Sequence, residues 1–346
     1  MNLRALLTTS LMALLLLVAA CGQNEEGTED NEEGNDTAAN DQEITIKVAN
    51  YFAEDHPQNI ALKEKFKPLV EENTDGQVTV EIYPNNELGD ESQFTSGVRN
   101  GTIEMAIVGM GLQTANPKIG AVEWPFLFND YEHANSLLNG EIGEEIEPLF
   151  RELGTEPLAW TANGFRVVSS DKPVKSMEDF EGLRLRMPNI PIFINTGEAM
   201  GANIQPLAFS EVFTALEQGV INGQDNPYAT LYASGWYEVQ SHVLETNHMF
   251  SPNAYLMNKE FFDGLDQETQ DIIVEAANEA AQLEWELAEE AEIEVKQQLE
   301  EAGLEITVPS DDFRQQLVDS MDPVYQDLYK EFDWAEEFIG KIRNAE

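Results

Sequence analysis

The sequence predicts an α/β protein built as two lobes, and three observations predict it. A strand–helix–strand alternation, the pattern of a parallel sheet with covering helices, occurs in the first third of the chain and again in the middle. A helical stretch of unusual length, residues 267–302, comes after both. At ~1.5 Å per residue it would span about 54 Å, more than one small domain, so it is expected to run along both lobes. A length of 346 residues suits two domains of ordinary size, and 42% apolar residues can fill their cores.

Residues 43–51 (EITIKVANY) alternate apolar and polar side chains as a strand does, and Asp55 or Pro57 opens a helix to about Asn73. Residues 76–84 repeat the strand pattern. SQFTSGVRNGTI reads as a short helix closed by Gly101, and 104–111 (EMAIVGMG) as a buried strand ending in glycines. The aromatic run VEWPFLF, 122–128, reads as an anchor on a domain surface, and helical material from Tyr131 continues to about Leu153. TEPLAWTANGFRVVSS brings a strand into a loop holding Gly164 and Arg166. In GLRLRMPN, Leu183, Leu185 and Met187 alternate with Arg184 and Arg186, so a strand here would part apolar residues from arginines. Asn189 with Pro191 is a start signal for the next helix, and Gly201 a stop. NIQPLAF then reads as a strand, and SEVFTALEQG as a helix capped by Ser210 and stopped at Gly219. GVINGQDNP leads into helical 229–243 and strand-like 248–258. Acidic Glu268 and Asp271 suit the start of the long helix, and Gly303 its end. LEITVPS and an aromatic-rich helical tail are expected to close the second lobe.

The amino terminus reads as targeting, not structure. Arg4 precedes an apolar run, 5–20, that ends Val18-Ala19-Ala20-Cys21, the pattern of a signal peptide. Small residues before Cys21, the only cysteine, resemble the lipobox of a bacterial lipoprotein. That reading makes Cys21 lipid-modified and tethers the mature chain outside the membrane. No second cysteine is available for a disulfide, a CxxC redox pair or a thiolate metal site. Residues 22–43 hold nine acidic side chains, no basic one and almost nothing apolar, which is the composition of a disordered, self-repelling tether.

The net charge is −46, and from Ile44 onward 56 acidic residues still face 18 basic ones. Such a surface argues against nucleic acid and anionic membranes as partners. It also makes carboxylate pairs uninformative and gives weight to each of the 19 basic residues. No nucleophile elbow, Walker loop, HExxH or dinucleotide fingerprint follows a strand. His56, His133, His242 and His248 show no metal-ligand spacing, so neither metal nor cofactor is expected. Polar residues at strand ends remain: Arg166, Arg186, Asn189, Asn226 and His248. Open α/β sheets bind ligands at such ends, and a guanidinium matches a carboxylate with a planar fork. The aromatics Phe52, Trp124, Phe126, Phe165, Phe209 and Tyr228 could wall a small-molecule cleft around them.

Several segments together resemble the extracytoplasmic solute-binding subunit of TRAP transporters, the DctP type. They are ELGDESQFTSGVRNGTIEMA, WPFLF, NGFRVVSS, KPVKSMEDFEGLRLRMPN, GANIQPLAFSEVFTALEQGVINGQDNP and YEVQSHVLETNH, in the family's order and spacing. The resemblance implies a two-lobed periplasmic-binding-protein-like fold, with an interlobe ligand cleft and the long helix spanning both lobes. It places lobe I at 44–163 plus 252–291 and lobe II at 164–251 plus 292–346, after a signal peptide at 1–20 and a lipidated tether at 21–43. It makes Arg186, of the R-x-P segment, the bidentate partner of a ligand carboxylate, with Arg166 as second arginine. Asn226, Asn189 and Phe209 match further ligand-facing positions, and Asp225 stands where glutamate is more usual. Tyr51, Glu54 and residues 109–113 of the first lobe are expected to choose the ligand.

On this resemblance the chain captures a small organic acid, a C4-dicarboxylate or sugar acid, and delivers it to the small and large TRAP membrane subunits. It is not an enzyme, needs no cofactor, acts as a monomer, and stays on the outer face of the cytoplasmic membrane through the lipid on Cys21. Two alternatives stay open: a lipoprotein feeding a sensor kinase, and a binder of a zwitterion such as ectoine. A hydrolase using two carboxylates is a further class, with no catalytic motif to support it.

Overall fold

Eleven strands in two sheets build the described part of the molecule, residues 43–345 of a computed structural model. The expected signal peptide, Cys21 and nearly all of the acidic tether lie outside the described residues. The chain lays down β1 (Ile44–Ala49), β2 (Val78–Tyr83), β3 (Met105–Val108) and the long β4 (Thr155–Phe165). It crosses into a second sheet with β5 (Val167–Ser170), β6 (Arg184–Met187), β7 (Asn203–Pro206), β8 (Gly223–Asn226) and β9 (His242–Leu244). It returns as β10 (Phe250–Asn258), then adds β11 (Glu305–Thr307). The first sheet has the order β2-β1-β3-β10-β4 and the second β11-β9-β5-β8-β6-β7.

Neither sheet is wholly parallel. β10 runs antiparallel to β3 and β4, and β5 antiparallel to β8 and β9. These two reversed strands are the ones on which the chain enters the other lobe. A strand that arrives by a direct crossing, without a helical return, has no reason to keep its neighbours' direction. The loop expected around Gly164 and Arg166 is accordingly a near-continuous passage from β4 to β5. Two further strands were not expected. β8 is GQDN, whose polar letters suggest a turn, and β9 is three residues long inside a stretch that reads as helix.

Local signals explain most helix ends. His56 caps the helical run that starts at Pro57, its Nδ1 accepting from the Gln58 N–H (3.3 Å). Asp90 and Gln93 form a reciprocal capping box on the helix Glu91–Asn100, and Gly101 ends it at φ +77°. Two expected caps are corrected. The helix Pro191–Ala199 has Ile190 at its cap position, which leaves the Asn189 side chain free of that duty. Ser210 is not a cap either: the Ala208 N–H donates to Glu211 Oε2 (2.9 Å).

The long helix is unbroken over Gln267–Glu301, 35 residues, with Asp266 as its cap. Ile273, Ala276, Ala277, Ala280, Ala281, Trp285 and Ala288 join the larger hydrophobic core, which holds residues of both lobes, and Leu299 the smaller core of the second. Trp285 stacks on Phe250 (5.7 Å) and donates Nε1–H to the Trp160 carbonyl (2.9 Å), which ties the helix to the strands at the crossing. The tail helix Asp322–Glu331 packs on Pro191–Ala199 of the second lobe, and it and Ala335–Asn344 also reach the first lobe. There Tyr325 Oη donates to the Pro125 carbonyl (2.6 Å), Lys341 pairs with Glu145 (2.7 Å) and Trp124 packs on Tyr325 (5.7 Å). The apolar run 122–128 is therefore the seat of the carboxyl-terminal helices. No sequence period marks that pairing of two distant segments.

Candidate functional site

A cleft of about 560 Å³ opens where the carboxyl ends of the parallel strands of both sheets meet. Tyr51 follows β1, Gly109 follows β3, Asn189 follows β6, Phe209 follows β7 and Asn226 ends β8, and all five line it. Because β10 runs the other way, its first residues, Ser251 and Asn253, reach the same edge. Arg166, in the crossing, and Arg186, on β6, lie at the base of this ring, each 3% exposed.

The two guanidinium groups have different environments. Arg166 donates Nε–H to Asp225 Oδ2 (2.6 Å), Nη2–H to the Asp225 carbonyl and Nη1–H to Ser251 Oγ (3.1 Å), and its plane lies 4.9 Å from the Phe193 ring. Burial works against its charge, but the Asp225 carboxylate more than offsets that and raises its pKa. Burial likewise pushes the Asp225 carboxyl up, while Arg166 and then His248 (Nε2 3.4 Å away) hold it well below the usual range. Arg186 has no such partner. Its Nε and Nη2 both donate to the Leu207 carbonyl (3.1 and 2.9 Å), and among the described residues no carboxylate lies within ion-pair distance. Burial accordingly pulls it down to about 10, still charged at neutral pH. A buried, charged fork held by one carbonyl, with N–H groups left over, is a receptor for an anion.

The opposite wall comes from the first lobe and is acidic. Glu91 Oε1 accepts the Gly109 N–H (2.9 Å), and burial raises the pKa of its carboxyl. Glu123 lies within 3.5 Å of Gln113 Nε2, and burial pushes it up to about 8 against the pull of Arg166. Between them Asn253 Nδ2–H donates to Tyr51 Oη (3.2 Å), leaving Asn253 Oδ1 buried without a partner. Tyr51 packs against Phe209 (4.9 Å), an aromatic contact from one lobe to the other across the cleft. Behind it, Asn163 Oδ1 accepts from Thr230, whose hydroxyl meets His56 Nε2 (3.3 Å). Burial drives that imidazole down to about 3, so it is neutral.

Of the residues expected from sequence, Arg186, Arg166, Asn226, Asn189, Phe209 and Tyr51 come together here. Glu54 does not: it is exposed and pairs with Lys63 (2.9 Å) away from the cleft. His248 does not line it but sits behind Arg166, bonded through Nδ1 to Thr246 (2.7 Å). Of the expected aromatic wall only Phe209 remains. Phe52 supports Tyr51 from behind (4.2 Å), Phe165 packs in the core with Phe250, and Trp124 and Phe126 belong to the seat of the terminal helices. Tyr228 is turned to Glu245 (3.0 Å). Glu91, Glu123, Asn163, Ser251 and Asn253 were not foreseen. Among the described residues no cluster of side chains could hold a metal ion, and no helix is long and apolar enough to cross a membrane.

Two α/β lobes joined by strand crossings, with a buried unpaired guanidinium in the cleft between them, define a solute-binding protein of the periplasmic kind. Comparison with known proteins gives the family. Residues 48–331 match the model of bacterial extracellular solute-binding protein family 7, DctP, and the chain belongs to that family. A TRAP periplasmic solute-binding protein of Haemophilus influenzae, solved with bound L-gulonate, is 42% identical, with a TM-score of 0.86 over 88% of this chain and 100% of that one. Another from Sulfurospirillum deleyianum, solved with succinate, is 26% identical, with a TM-score of 0.83 over 88% and 99% of the two chains. The 2,3-diketo-L-gulonate-binding periplasmic protein YiaO of Escherichia coli is 34% identical over 269 residues, 78% of this chain and 82% of that protein.

Proposed function

We propose that this protein captures a small organic acid outside the cytoplasmic membrane and hands it, chemically unchanged, to a TRAP-type permease driven by an ion gradient. The observation that carries this reading is Arg186, buried and charged with no carboxylate within ion-pair distance, opening onto the cleft. A ligand carboxylate docks on its free N–H groups, with Arg166 fixed beside it by Asp225. Asn226 and Asn189 supply further hydrogen bonds, and Phe209 with Tyr51 covers the ligand. The relatives with L-gulonate, succinate and 2,3-diketo-L-gulonate support an acid as the solute class. Cys21 carries the lipid that holds the mature, monomeric protein near the membrane subunits.

A melting-temperature screen of organic acids tests this. A ligand at 100 times its Kd adds about 2.7 kcal/mol to the folded state, a shift easily seen. Hits among carboxylates that disappear in Arg186→Ala support the assignment. A hit from a neutral solute alone, with no acid shifting the transition, sinks it. For the anchor, metabolic labelling with a fatty acid should mark the parent chain and not Cys21→Ala.

A further inference from the structure

We infer that Glu91 and Glu123, with Asn253 between them, form a hydroxyl-reading subsite that admits hydroxylated monocarboxylates and turns away dicarboxylates. The inference rests on the reading of the cleft as a receptor for organic acids and narrows it. Charge is the first argument. Arg166 is already matched by Asp225 at 2.6 Å, and Arg99, also on the cleft wall, is turned to the Leu153 carbonyl (3.1 Å). Arg186 is then the one buried cation among the described residues left for the ligand, enough for one carboxylate. A second carboxylate, extended from Arg186 toward the first lobe, would meet Glu91 instead of another cation.

Hydrogen-bond capacity is the second argument, and it is independent of charge. Asn253 is 1% exposed, and its Oδ1 has no partner although it stands in the cleft wall. Glu91 uses one oxygen on the Gly109 N–H and keeps the other. Both groups want a donor. A carboxylate has none to offer, whereas each hydroxyl of a polyol has one. Glu123, which burial holds largely protonated at neutral pH, can give as well as accept, which suits a hydroxyl and not a second anion alone. Tyr51 Oη, bonded to Asn253 and packed on Phe209, fixes this wall against the opposite lobe.

Matched pairs of acids test the subsite by isothermal titration of the purified full chain. D-erythronate and meso-tartrate differ only in having a hydroxymethyl or a carboxylate at the fourth carbon, and L-gulonate and D-glucarate differ likewise at the sixth. In one of the pairs at least, the monocarboxylate should bind about 100-fold more tightly than its oxidised partner. Glu91→Gln keeps an oxygen for the Gly109 N–H and removes the charge. It should narrow that ratio at least fivefold, mainly by improving the dicarboxylate, whereas Glu123→Gln, which removes little charge, should change the ratio less. Arg186→Met should weaken both members alike, which separates the anchor from the selection. Equal affinities within both pairs, or a ratio that Glu91→Gln leaves unmoved, overturn the subsite while capture of organic acids stands. Binding of no acid at all overturns the capture reading, and the subsite with it.

Discussion

Replacing each cleft arginine by methionine should change folding stability by very different amounts. Methionine keeps much of the apolar stem and removes the charge. Arg186 is charged, buried and unpaired, and burial has already drawn it from 12.5 to about 10. That displacement corresponds to a penalty of about 3 kcal/mol on the charged form. Arg186→Met lifts the penalty and gives up two N–H bonds to one carbonyl, each worth about 1–2 kcal/mol net. The unliganded variant should therefore stay within about 1 kcal/mol of the parent in either direction. Arg166→Met leaves the wholly buried Asp225 carboxylate without its partner, and breaking a buried pair on one side costs about 3–5 kcal/mol. Binding should show the reverse weighting: loss of the ligand-pairing charge of Arg186 costs about 2–5 kcal/mol, a 30- to several-thousand-fold rise in Kd, whereas Arg166, already matched by Asp225, should contribute less. Arg186→Lys keeps the charge but cannot hold the Leu207 carbonyl and a ligand carboxylate with one planar group, so it too should lose at least tenfold. Urea unfolding of the unliganded proteins gives the stabilities, and calorimetry gives the affinities. If Arg186→Met is destabilised as much as Arg166→Met, the division of labour between the two arginines is wrong.

Two further outcomes follow from the same geometry. The Glu123 carboxyl is raised by folding from 4.5 to about 8, so folding favours its protonated form. The stability it contributes is fully present below about pH 4.5 and is lost as pH rises through 8. Unfolding free energies of the unliganded chain from urea titrations should fall across that window by about 4 kcal/mol, and the fall should be shallower in Glu123→Gln; identical slopes would remove Glu123 from the account. Gly164 sits at φ +111°, and a β-carbon there would lie 2.3 Å from Tyr131 Oη. Gly164→Ala should cost about 2 kcal/mol or more, of which Tyr131→Phe in the same chain returns a part, and additive losses would deny the contact.

Much of the architecture could be read from the chain because the first lobe follows local rules. Its early strands alternate, its helices carry caps, and the 35-residue helix announces its reach by length alone. What escaped depends on pairing over distance. GQDN becomes a buried strand only because β5 and β6 flank it, and the terminal helices find the first lobe through Tyr325, Trp334 and Lys341, residues that look like any surface helix. In the cleft, arginines and asparagines stood out in a chain poor in cations, and they were placed by motif. The acidic wall was invisible for the converse reason: among 65 acidic residues nothing distinguishes Glu91 or Glu123 from solvated ones, and Glu54, chosen instead, is one of those. Only burial separates them.

The direct passage from β4 to β5 has a mechanical consequence. Arg166 stands at the fulcrum of the molecule: its N–H donates to the Met249 carbonyl and its own carbonyl accepts from Thr246, so both connecting strands are laced together at that residue. A group at a fulcrum travels little when the arms swing. Its bonds to Asp225 in one arm and Ser251 in the other meet at that point. Arg186 and Phe209 ride further out, on the arm that faces Tyr51 and Glu91. A ligand that touches Arg186 on one arm and Glu91 on the other therefore has the longer lever on the angle between the lobes.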